Sequence, residues 1–381
     1  MMKTFLKPLT AWLLITPLTR LVVTTIPMVA VVGTSAVGKS YVAGGLISGG
    51  YAAGEAIGAV LLTHRLNGAA IKRQCALICA ISAALLGLAG FTLWSAPDWW
   101  PLAGIAVLLL GMVSSPLPGV LRSSATQLSE KPARILSIDN VINQACWVIG
   151  PVIGVMLVHK LNTFAAYLCL AALMLASVVL VFAAIPKNYK HQSGTSGKAK
   201  FRPIAVPVVA SGVIMAVTAA FDTLVPGLLQ EWFGSDERTS FVLAVLAIGS
   251  VLTSAVFGLK QRWSRPESIA MASTVMMILL LGVVGSAPNY VLLLVLAGFI
   301  GVVQAPSMVL RQVIVSDVVP DQRKAAAFSM LYAAGGVGYA ASAAVTPWMA
   351  SMLSAQFASV ITAVLCLGVL AVAVKIQRSG N

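Results

Sequence analysis

Apolar residues run along this chain in twelve blocks, separated by short stretches that carry most of the charges and many of the glycines and prolines. The blocks fall at approximately 11–32, 41–63, 75–95, 101–121, 135–158, 163–185, 205–229, 240–259, 268–287, 290–310, 325–347 and 355–374. A helix needs about 20 mostly apolar residues to cross the hydrocarbon core of a bilayer, and within lipid a helix satisfies its own backbone polar groups. The pattern predicts an all-α membrane protein with twelve transmembrane helices. Lys3 and Lys7 precede the first block as they would in a signal peptide. That block is too long for a signal's apolar region and has a counterpart later in the chain, so it reads as the first span.

Composition agrees with the pattern. The 381 residues are 59% hydrophobic and 9% charged, against roughly 25% charged in a soluble domain. A net charge of +14 invites a nucleic-acid reading, but its placement argues against one. With the N-terminus inside, 21 of the 25 Lys and Arg fall in inside segments. Lys39, Lys160 and Arg238 lie outside, and Arg20 is within a span. This asymmetry places both termini in the cytoplasm and predicts a multi-pass protein of a bacterial cytoplasmic (inner) membrane. Trp12, Trp94, Trp99, Trp100, Trp232, Trp263 and Trp348 fall near span ends, as interface anchors do. The five cysteines lie inside spans with no disulfide or zinc spacing.

The chain also repeats. At an offset of 200, Leu46, Gly49 and Gly58 meet Leu246, Gly249 and Gly258; at 189–190, Gly111, Pro116 and Leu121-Arg122 meet Gly301, Pro306 and Leu310-Arg311. Two parallel six-helix repeats follow, 1–185 and 205–381, joined by a basic, polar linker at 186–204.

Six plus six helices with a basic central loop resemble the major facilitator superfamily over nearly the whole chain. Two motifs carry the resemblance further. Gly58, Arg65, Gly68, Lys72 and Arg73 look like the family's loop between helices 2 and 3, with Thr63-His64 where an Asp is usual; Gly258 to Arg262 is a reduced second copy. Gly150-Pro151-Val152-Ile153-Gly154 in the fifth span looks like the helix-5 signature of the drug/proton antiporter branch, with Val155 in place of its final glycine. The resemblance implies that helices 1, 4, 7 and 10 line a cavity while 3, 6, 9 and 12 face lipid, and that the protein works as a monomer.

Ionisable groups inside a membrane are expensive and mark functional sites by default. Arg20, Glu55, Asp139 and Asp222 are the four candidates, and spans 3, 6, 9 and 12 carry none. Arg20 and Glu55 lie at similar depth, roughly 12–14 Å from the cytoplasmic ends of their spans, which makes them an expected ion pair. Glu55 then reads either as the proton carrier, with Arg20 competing for its charge, or as half of a structural tie. Asp222 lies nearer the outer face, with Pro226 suggesting a kink or a broken end. Asp139, near the start of span 5, suits the helix N-terminus or a pairing with Arg122 or Arg134. Thr24, Tyr51, Asn143, Gln144, Trp147, Gln304 and Tyr332 are candidate cavity residues, each also readable as a helix-packing contact.

Gly33-Thr34-Ser35-Ala36-Val37-Gly38-Lys39-Ser40 satisfies a phosphate-loop pattern. That pattern signals nucleotide binding only between a strand and a helix, and here it joins two spans on the outside. No catalytic, metal or cofactor motif stands, so the sequence predicts no enzyme. The resemblance implies a proton-coupled exporter of small amphipathic or drug-like molecules working by alternating access. Two alternatives stay open: a sugar, amino-acid or other metabolite carrier, and a non-transporting receptor or lipid-handling protein on the same fold.

Overall fold

The structure is a computed structural model that describes residues 7–62, 66, 70–128, 132–186, 202–259 and 264–379, except for the side chains at 60, 132–134, 136, 137, 140, 144, 202, 255–259, 321–326 and 329. Arg65, Gly68, the side chain of Gln144, Lys260 to Arg262 of the second loop motif and most of the expected linker therefore lie outside the described residues.

The chain divides into two compact units, Met1–Ser193 and Gly194–Asn381. The first holds α1 (Pro8–Ala36), α2 (Tyr41–Leu61), α3 (Ile71–Ser95), α4 (Trp100–Ser114), α5 (Leu117–Gln127), α6 (Pro132–Lys160) and α7 (Thr163–Ala184). The second holds α8 (Ala205–Phe233), α9 (Thr239–Leu259), α10 (Pro266–Val284), α11 (Tyr290–Val318), α12 (Asp321–Met352) and α13 (Ala355–Arg378). Helices α4 and α5 are two pieces of the fourth expected span. Pro116 and Pro118 remove two backbone donors within three residues there, whereas α11 runs unbroken through its single Pro306.

Among the described residues, nine segments are long and apolar enough to cross a membrane. Of the rest, α2 and α12 are diluted by glycine, alanine and serine, and α9 is fully described only as far as Ser254. The chain is a multi-pass membrane protein. Short connections are sharpened by caps: the side chains of Ser40, Asn162, Asn289 and Ser354 accept the first free amides of α2, α7, α11 and α13. Gly234, at φ +66, closes α8 in a left-handed turn.

The two units pair their helices in the same pattern. In the first, α1 packs on α6 and α7, α2 on α4, and α3 on α4 and α7; in the second, α8 packs on α12 and α13, α9 on α11, and α10 on α11 and α13. Helices α3, α7, α10 and α13 show large exposed apolar side chains, among them Phe91, Val179, Leu279 and Val364, as lipid-facing surfaces do. The second and fourth helices of each unit touch backbone to backbone. A methyl group at Gly54 or Gly111 would collide with the carbonyl of Leu108 or Tyr51, and one at Gly301 with that of Leu246. The small residues of α2 thus serve close packing. Trp12, expected at the interface, is instead fully buried with Ile15, Cys75 and Leu121 in the core of the first unit. Helix α1 is surrounded there by α5, α6 and α7, which leaves its tryptophan no lipid to face.

Candidate functional site

In the first unit Arg20 and Arg122 gather on Asp139. Helix α6 presents Asp139, Asn143, Cys146, Gly150 and Gly154 at spacings of three and four, a single stripe along its length. Helix α1 presents Pro17, Arg20, Thr24 and Met28 in the same way. The stripes meet in register: Gly150 lies against Thr24, Gly154 against Met28 and Thr25, and the Thr24 hydroxyl donates to the Cys146 carbonyl at 2.9 Å. The glycines of the Gly150-Pro151-Gly154 motif let α1 approach α6 this closely.

That approach brings Arg20 to Asp139. One guanidinium nitrogen donates to both carboxylate oxygens at 2.8 and 2.9 Å, and the other donates to the Asn143 side-chain oxygen. Arg122, on α5, donates its Nε to the same carboxylate at 2.6 Å. Asp139 is 1% exposed and Arg20 6%, whereas the Arg122 side chain is 48% exposed. A carboxylate taken this far from water needs such partners, and removing them would leave uncompensated charge.

Arg20 therefore pairs with Asp139 and not, as expected, with Glu55. Equal depth along two helices says nothing about which way each side chain faces. The α1 stripe bearing Arg20 faces α6, while the backbone of Glu55 lies against Gly111 of α4, and Glu55 itself is half-buried one turn from the buried Tyr51.

In the second unit Asp222 is 7% exposed on α8 and accepts a hydrogen bond from the Tyr339 phenol of α12 at 3.1 Å. Among the described residues no cation stands beside it. Gly338 lies against Gly212 where α8 and α12 meet, which brings Tyr339 close to α8. Pro226 has no amide to donate to the Asp222 carbonyl one turn back. The helix nevertheless continues to Phe233, so of the kink or broken end expected there the break is absent. One turn before Asp222, Thr218 accepts a hydrogen bond from Gln304 of α11 at 3.3 Å.

Of the other candidates, Trp147 is half-buried on α6 and Tyr332 is 51% exposed on α12. The pairings of Tyr339 with Asp222 and of Thr218 with Gln304 were missed because the sequence does not say which way a side chain faces around its helix. Outside the spans, Lys39 of the phosphate-loop-like segment forms an exposed ion pair with Asp98, linking the α1–α2 and α3–α4 connections. No group of metal-ligating side chains occurs among the described residues.

A protein-family model described as Major Facilitator Superfamily matches residues 208–379. No curated protein matches the chain in sequence. Among solved structures, a mutant of the nucleoside transporter NupG matches at a TM-score of 0.74 and 15% identity, over 96% of this chain and 99% of that one. A D-xylose–proton symporter matches at 0.71 and 14%, over 97% of each chain. A bacterial homologue of the human lysosomal transporter Spinster matches at 0.71 and 13%, over 97% and 96%. The chain has the major facilitator fold.

Proposed function

We propose that the protein is a secondary active transporter of a small organic molecule, coupled to protons through Asp222. The observation that carries this reading is the contrast between Asp139 and Asp222, the two carboxylates buried within helices among the described residues. Asp139 has two guanidiniums against it, so charge neutralisation there is part of the fold. Asp222 has a phenol. With no cation against it among the described residues, it is open to neutralisation by a proton or a cationic cargo, and that makes it responsive to which side of the membrane it faces. Glu55, the first choice on sequence, yields this role to Asp222, and the Arg20–Asp139–Arg122 cluster becomes the structural tie.

The resemblance of Gly150-Pro151-Gly154 to the antiporter signature favours an exporter of amphipathic or drug-like molecules. The second reading is a metabolite carrier. It draws on the likeness in fold to a nucleoside transporter and a D-xylose–proton symporter, and on the hydrogen-bonding pair Gln304 and Thr218.

The test uses purified protein in vesicles with a pH-sensitive dye inside, challenged with a nucleoside, a pentose, a dipeptide and a cationic dye. Wild type should move protons with one of these cargoes. Asp222→Asn should lose proton movement and accumulation driven by a pH gradient while still exchanging cargo. Normal coupling in Asp222→Asn, with loss in Glu55→Gln, would return the role to α2.

A further inference from the structure

The sequence repeat pairs Leu121-Arg122 with Leu310-Arg311, and the two arginines meet different fates. Arg122 has Asp139. Arg311 spends its Nε on the Met308 carbonyl of its own helix at 3.3 Å, and its Nη1 is buried with no hydrogen-bond partner. Burying part of a guanidinium without an acceptor is costly, and this one borders a cavity of about 280 Å³. The cavity lies wholly within the second unit, between α8, α10, α11 and α13. Its walls are mostly apolar, including Pro207, Met271, Ile314 and Val374. Arg311, Arg378 and Glu267 are its charged groups, so its lining is net positive. Glu267 makes no ion pair with Arg311 among the described residues.

The position of the cavity narrows its ligand. Glu267 is in the first turn of α10, Arg378 ends α13, Val206 is the second residue of α8, and Arg311 is seven residues from the end of α11. At 1.5 Å per residue that is about 10 Å of helix, which puts the cavity at the level of lipid headgroups. The distribution of Lys and Arg assigns this face to the cytoplasm, where anionic lipids concentrate. The volume falls just under the ~300 Å³ at which pockets for drug-sized ligands begin, so it suits a headgroup and the first methylenes of a chain.

We infer that the cavity beneath Arg311 is a binding site for an oxyanion, a phosphate or carboxylate, carried on a hydrocarbon chain. Arg311 takes the oxyanion and the apolar walls take the chain. Anionic lipid of the surrounding leaflet and a soluble phosphate share the first part of this chemistry and differ in the second.

Purified full-length protein, stripped of lipid in a non-ionic detergent, is to be incubated with dioleoyl phosphatidylglycerol, dioleoyl phosphatidylcholine or inorganic phosphate. Lipid retention is read by native mass spectrometry and melting temperature by fluorescence. Phosphatidylglycerol should be retained over phosphatidylcholine and raise the melting temperature. Arg311→Gln should cut that preference about tenfold, in keeping with loss of a hydrogen bond to a charged group. Val374→Trp, which keeps the arginine and fills the cavity, should do the same and decides the matter if Arg311→Gln does not fold. An equal, Arg311-dependent effect of phosphate alone would keep the anion site and assign it to a soluble ligand. Equal retention of the two lipids, or a preference that survives both substitutions, would overturn the proposal.

Discussion

Across the α8–α12 interface, Asp222 takes a hydrogen bond from Tyr339 at 3.1 Å, and both side chains are buried. The phenol fixes where the carboxylate points without fixing its charge. Tyr339→Phe should therefore leave the protein folded, with a stability loss of about 0.5–1.5 kcal/mol, and should alter the pH profile of transport. Proton-coupled flux in vesicles measured across a pH series checks this; an unchanged profile would remove Tyr339 from the coupling site.

Asp139→Asn should be far more damaging to stability. It leaves the Arg20 guanidinium buried without its counter-charge, a loss of about 3–5 kcal/mol for a fully buried pair. Arg20→Gln combined with Asp139→Asn should recover much of that loss, and Arg122→Gln, whose side chain is 48% exposed, should cost less than either single change. Melting temperatures of the set form a double-mutant cycle. Strong coupling between Arg20 and Asp139, and near-additivity between Arg20 and Glu55, is the expected result.

Glycine positions should divide sharply. Gly54→Ala, Gly111→Ala and Gly301→Ala each push a methyl into a backbone carbonyl of the neighbouring helix, and should cost about 1–3 kcal/mol through overpacking. Gly87→Ala and Gly119→Ala meet nothing within 4 Å and should leave melting temperature unchanged. Equal effects in both groups would contradict the close approach of α2 to α4.

Lys39→Ala should alter neither melting temperature nor transport, since its partner Asp98 is 90% exposed and surface pairs of this kind contribute little. Added ATP should not change the melting temperature of wild type. In intact cells, Asp98→Cys should react with a membrane-impermeant thiol reagent, and Ser193→Cys should react only after the membrane is opened. The reverse pattern would refute the charge-based orientation.

What could be read from the chain beforehand was what depends on distance along it. Span existence follows from apolar length, and the outward-facing helices α3, α7, α10 and α13 carry no charge in their predicted spans, although four other spans lack one as well. Direction around a helix was not legible. Arg20 and Glu55 have matching depth, yet α1 turns Arg20 toward α6. Packing register was hidden for a similar reason. Gly111 lies against Tyr51 and Glu55, and Gly301 against Leu246 and Ser250. The packing thus equates Glu55 with Ser250, five residues from where the offset of 200 would place it. Glycine-rich helices offer several alignments that look alike as letters, and only contact with the neighbouring backbone selects one.

That backbone contact also explains how such a fold outlasts its own spelling. Lipid accepts almost any apolar side chain, so the outward surfaces of α3, α7, α10 and α13 are free to drift. A position such as Gly54 or Gly301 admits no added atom, and a change there separates two helices at once. Substitution should be easy where hydrocarbon tolerates it and hard where carbonyls crowd. A chain governed in this way can share 15% of its residues with a distant structure and keep the same path through 96% of its length.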